Sequence, residues 1–124
     1  MPTETSGFWI CCETCPKGAL RMYNNPHLYE KIKNGLGYGM VKSVESDYIN
    51  LVRVLANDNN IDTMFFRIAI LHAAEKNLVE VFRILWENNN THVSMEAIDV
   101  PEIFYGKLYN LTSNQEIKNL VSKK

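Results

Sequence analysis

The stretches "MVKSVESDYINLVRVLANDNN" (residues 40–60) and "ILHAAEKNLVEVFRILWENNN" (residues 70–90) align without a gap, 30 residues apart. Met40 faces Ile70, Val41 faces Leu71 and Glu45 faces Glu75. Asp47 faces Asn77 and Ile49 faces Val79; further on, Leu51, Arg53, Val54 and Leu55 face Val81, Arg83, Ile84 and Leu85. Both copies end in an asparagine run, Asn59-Asn60 and Asn89-Asn90. Identities are few, but the apolar positions keep register, and a fixed period of ~20–50 residues marks stacked repeats.

Each copy reads as two helices. In the second, Met64, Phe65, Ile68, Leu71 and His72 recur at the three-and-four spacing of one helical face, with Asp62 or Thr63 as the cap. Asn77 interrupts the pattern, and Asn77-Leu78-Val79-Glu80 has the form of a capping box. Leu78, Val81, Phe82 and Leu85 form the next apolar stripe. A short polar residue at both equivalent points, Asp47 and Asn77, marks a chain reversal, because Asp and Asn tolerate the left-handed conformation. The alternative is one unbroken helix over 63–88, longer than most globular helices. Each unit is thus a helical hairpin closed by a polar loop, "NDNNID" or "ENNNTHV".

A hairpin of this size cannot bury its own apolar face, so the flanks must cap the stack. Upstream, "PHLYEKIKNGLGYG" predicts a short helix over 28–33, stopped by Gly35, Gly37 and Gly39. The glycines lack the preceding strand and the spacing of a phosphate-binding loop. Downstream, Ile98, Ile103, Phe104, Leu108 and Leu111 supply apolar surface, with Pro101 as a break or helix start. Ser113-Asn114-Gln115-Glu116 is a capping box before a terminal helix. The expected fold class is all-α: stacked antiparallel helical hairpins in a single domain over 1–124. Its parts are a cysteine-containing segment and cap (1–39), a first repeat (40–60), a second repeat (61–93) and a C-terminal cap (94–124).

The run "LHAAEKNLVEVFRILWENN" (71–89) resembles the ankyrin-type repeat. Ala73 and Ala74 match that family's paired alanines, Asn77 its turn glycine, and Val79, Val81, Ile84 and Leu85 its second helix. Leu71-His72 lies one residue out of register with the family's Thr-Pro-Leu-His, Ala69 and Ile70 replace the Thr and Pro, and the first copy carries Ser43-Val44 for the alanines. The resemblance implies a helical stack that binds proteins without catalysis.

Composition sets the remaining expectations. The chain is 46% hydrophobic and 22% charged with a net charge of −1, so a nucleic-acid binder, which needs a basic excess, is not expected. No apolar run approaches the ~20 residues that span a bilayer. The opening residues lack the basic start and apolar core of a signal peptide, so a cytoplasmic location and no membrane partner are expected. Three cysteines, all within 11–15, suit reduced thiols or a metal. Cys12 and Cys15 form a C-x-x-C pair, with His27 twelve residues on as the candidate third ligand of a zinc ion. The same pair would serve a thiol enzyme only with a lowered pKa. His72 reads as a core histidine, and His27 and His92 as exposed loop residues. No Ser/His/Asp set or His-Glu-x-x-His is present, and no catalytic residue is assigned. The leading expectation is a non-enzymatic interaction module or adaptor with no cofactor and a protein partner, which incomplete caps would also let pair with itself. Trp86 and Phe82 are the candidate contact residues. The alternative is a small zinc-binding structural subunit of a larger assembly.

Overall fold

Asp47 and Asn77 both have φ of 57°, and they are the non-glycine residues with positive φ among those described. The computed structural model describes residues 3–122. Around both residues the backbone bonds repeat with the same offset. The Asp47 N–H donates to the Val44 carbonyl and the Tyr48 N–H to the Ser43 carbonyl, while Asn77 donates to Ala74 and Leu78 to Ala73. This is the Schellman ending of a helix, in which one left-handed residue lets two N–H groups satisfy the last carbonyls. The unbroken helix over 63–88 is therefore excluded.

The described residues are all helix and connections. The helices are α1 (Glu4–Thr14), α2 (Pro16–Asn24), α3 (Pro26–Ile32), α4 (Leu36–Glu45), α5 (Ile49–Leu55), α6 (Met64–Glu75), α7 (Val79–Glu87), α8 (Asn89–Glu96), α9 (Pro101–Leu111) and α10 (Gln115–Ser122), with a 3-10 turn at Lys33–Gly35. Each of α1/α2, α4/α5, α6/α7 and α9/α10 packs as a pair joined by a short connection. Along the molecule α1 packs on α4, α4 on α6 and α6 on α9; in parallel α2 packs on α5, α5 on α7 and α7 on α10. None of these helices is long and apolar enough to cross a membrane.

Burial follows the same period. Met40/Ile70, Ser43/Ala73, Val44/Ala74, Leu51/Val81, Val52/Phe82, Leu55/Leu85 and Ala56/Trp86 are buried at both members. So are Leu36/Phe66 and Gly39/Ala69. The glycines do not stop a helix: Gly37 and Gly39 lie inside α4. They permit close approach on two sides. A Cβ on Gly39 would stand 2.5 Å from the Phe8 ring of α1, and one on Gly37 would collide with the Phe65 ring of α6.

Other local expectations change once neighbours are present. The buried face of α6 is Phe66, Ala69, Ile70, Ala73 and Ala74, whereas Met64 and Ile68 are exposed. The helix is apolar nearly all round, and its contacts with α4, α7, α8 and α9 choose the face. The "ENNNTHV" loop is mostly helix α8, held to α6 by Arg67, which donates to the Ser94 carbonyl at 2.6 Å, and by Ser94 Oγ, which donates to the Thr63 carbonyl. Asn77 caps nothing; its side chain accepts from Thr112 Oγ1 and the Ser113 N–H and donates to Ser113 Oγ. Asn114, not Ser113, caps α10, accepting from Glu116 and Ile117 N–H groups. Asp62 rather than Thr63 bonds the start of α6, and Pro101 opens α9. Of Ile98, Ile103, Phe104, Leu108 and Leu111 only Leu108 is buried, and Ile103 is exposed.

Two contrasts test these assignments by urea denaturation. Asp47→Gly is expected to change stability by less than ~0.5 kcal/mol, since glycine accepts the left-handed backbone. Asn77→Gly keeps that backbone but loses the bonds to Thr112 and Ser113, and is expected to cost about 1–2 kcal/mol. Gly39→Ala is expected to destabilise by ~1–3 kcal/mol through overpacking against Phe8. Gly106→Ala in α9, where a Cβ meets nothing within 4 Å, is expected to stabilise by up to ~1 kcal/mol through helix propensity.

Candidate binding cleft

The C-terminal ends of α5 and α7 lie side by side because the helices pack along their length. Beyond each end an asparagine-rich segment makes the same local bond, although the first runs on as a turn and the second as helix α8. The Asn60 N–H donates to Asp58 Oδ1 at 2.8 Å, and 30 residues on the Asn90 N–H donates to Asn88 Oδ1 at 2.9 Å. The turns are tied together: Asn88 Nδ2 donates to Asn57 Oδ1 at 3.1 Å and Asn90 Nδ2 to the Ala56 carbonyl at 3.2 Å. Between them opens a cleft of about 440 Å³.

Arg53 and Asn59 line one wall, Glu87 and Asn89 the other, and Ile84 supplies apolar surface. Arg53, Asn59, Glu87 and Asn89 have no side-chain hydrogen bond or ion pair among the described residues. The cleft therefore holds two free carboxamides, one unpaired cation and one unpaired carboxylate. A carboxamide carries the donor and acceptor of a peptide group, and a guanidinium presents five donors in a planar fork. The lining contains no cysteine, histidine or serine. A second, more apolar cleft of about 330 Å³ lies between α2 and the start of α5.

The wall opposite Arg53 is held from behind. Phe82 and Trp86 are buried, their rings stacked with centroids 5.6 Å apart, and Trp86 meets Tyr105 of α9 edge-on at 5.8 Å. The two rings, expected as contact residues, pack inside the α7 wall. The turn before α6 is held by Asp58, which is 8% exposed and accepts from Tyr23 and Tyr29 hydroxyls at 2.7 and 2.8 Å. Tyr29 in turn accepts from Asn60 Nδ2 at 2.7 Å. Burial first, and then the bond to Asp58, pushes the Tyr23 phenol well above its ordinary value. No sequence pattern pointed to this network, since its members lie 29 to 35 residues apart.

The cysteine expectation is rearranged. Cys12 is buried against Phe8 and Gly39, and burial pushes its thiol up to about 12. Cys15 is exposed and His27 is exposed on α3 rather than in a loop. No group of three or more metal-capable side chains occurs among the described residues. The thiol that shares a face with Cys15 is Cys11, four residues earlier on α1. That spacing was visible, but without a helix assigned over 4–14 it carried no meaning. His72 is half-buried rather than core, with Nε2 3.6 Å from Glu45 Oε1, and His92 is half-buried in α8 against the Trp86 ring.

No match to this chain was found among family models, curated proteins or solved structures.

Tyr23 gives a pH test. The unfolded phenol ionises near 10.0, whereas the folded one holds its proton to higher pH. Its contribution is therefore complete below that value and is lost as pH rises beyond it. Tyr23→Phe is expected to cost about 1.5–3 kcal/mol at neutral pH through the lost bond to a carboxylate. Its stability should also fall less steeply than that of the parent above pH ~10, read by chemical denaturation across the alkaline range.

Proposed function

We propose that this chain is a non-enzymatic protein-interaction module, a short stack of helical hairpins on the plan of the ankyrin-type repeat. It uses the asparagine-lined cleft to hold a segment of a partner polypeptide. The observation that carries the reading is the cleft itself. Two repeat-equivalent turns bring Asn59 and Asn89, with Arg53 and Glu87, to one opening with their polar groups unspent. Carboxamides pair with main-chain amides, and the two charges select an acidic and a basic side chain on the same segment. The 30-residue period in backbone bonds, burial and tip turns supports the stack.

The test is affinity capture from native extract by the parent chain and by an Arg53→Ala/Asn59→Ala/Asn89→Ala variant, with thermal unfolding of both recorded first. All three side chains are exposed, so the variant is expected to unfold at nearly the parent temperature. A defined protein should be retained by the parent at least tenfold better, equivalent to ~1.4 kcal/mol. Equal capture by both, or none above the control, defeats the reading.

A further inference from the structure

Cys11 and Cys15 stand one turn apart at the C-terminal end of α1. The Cys15 N–H donates to the Cys11 carbonyl at 2.8 Å, so the backbone between them is still helical. Cys15 is the residue at which α1 ends, with φ of −147° and ψ of 79°, and across the turn before it α-carbons four apart lie about 6 Å from one another, inside the ~4.4–6.8 Å that a disulfide spans. Both sulfurs turn toward one spot: a Cβ built on Gly18 of α2 would lie 3.2 Å from each. Glycine at that position leaves the space to the two thiols. Cys15 is exposed and Cys11 half-buried, so a small reagent reaches the pair. Cys12 projects away from them, with its sulfur 3.2 Å from where a Gly39 Cβ would stand.

We propose that Cys11 and Cys15 form a dithiol site for low-molecular-weight disulfides, with Cys15 as the attacking thiol and Cys11 as the resolving one. The Cys15 thiolate attacks one sulfur of the incoming disulfide. That S–S bond breaks, a mixed disulfide forms, and the departing thiolate takes up the proton that Cys15 released. The Cys11 thiolate then attacks the Cys15 sulfur, the mixed bond breaks, and the second small thiol leaves with the Cys11 proton. The pair loses two electrons and two protons, and the external disulfide gains both. The new bond closes one turn of α1 only. A loop so short removes little chain entropy, so the fold and the cleft are unchanged by it. The site stands independently of the interaction reading.

The test uses the full folded chain with oxidised glutathione. Remaining thiols are alkylated under denaturing conditions and the intact mass is recorded, which shows any glutathione still attached; the disulfides are then reduced and the released thiols labelled with a second reagent before peptide mass spectrometry. The first label should fall on Cys12 alone and the second on Cys11 and Cys15, with no glutathione retained. Reduced glutathione should reverse the change. Cys12→Ala should behave as the parent, and Cys11→Ser should stop with one glutathione on Cys15. Glutathione persisting on Cys15 of the parent overturns the proposal, as does a bridge that includes Cys12. The intact mass and the labelling pattern of the parent together decide the matter even where a variant fails to fold.

Discussion

One left-handed residue per unit is the constraint on which the rest depends. At Asp47 and at Asn77 the chain takes φ of 57°, and the two Schellman bonds that follow set the direction of the next helix. A β-carbon in this region costs roughly 1–2 kcal/mol, which Asp and Asn offset best among residues with side chains. At both turns the backbone bonds repeat with the same offset. The turns also bond to one another. Ser46 and Tyr48 donate to the Glu13 carbonyl, Lys76 to the Glu45 carbonyl, and Asn77 clasps Thr112 and Ser113. The ladder runs along the whole molecule, from the end of α1 to the start of α10.

Stacking distance is fixed by small residues. Gly37 and Gly39 let α4 lie against the Phe65 and Phe8 rings at once, so it is squeezed between α1 and α6. Glycine inside a helix costs ~1 kcal/mol against alanine, and the aromatic packing it permits offsets that. The same close spacing brings the ends of α5 and α7 together. It thereby brings Asn57 within 3.1 Å of Asn88 and opens the cleft beside them.

Polar groups divide into two kinds. Some are consumed in holding the scaffold: Asp58 between two tyrosines, Asn88 and Asn90 across the tip turns, Arg67 on α8. Others stand at the cleft without partners, and these are the ones a ligand can use. Phe82 and Trp86 belong with the scaffold, since they fix the α7 wall from inside. The thiols split in the same manner, with Cys12 packed as a small apolar residue and Cys11 and Cys15 turned together toward Gly18 of α2.

The sequence alone carried the all-helical class and both reversals, because these follow from local backbone preference and apolar spacing. It also carried the buried stripe of α7, in which Val81, Phe82 and Leu85 point inward. It could not choose the face of α6, which is apolar all round, nor tell that Gly37 and Gly39 sit within a helix. It read the asparagine runs as loops, although Asn88 starts a helix and only its neighbours reveal which carboxamides remain free. It paired Cys12 with Cys15 by sequence spacing, whereas α1 puts Cys11 and Cys15 on one face and turns Cys12 inward. Tertiary structure decided each of these, because each depends on what packs against the segment, and partners some 30 residues away leave no mark in a local pattern.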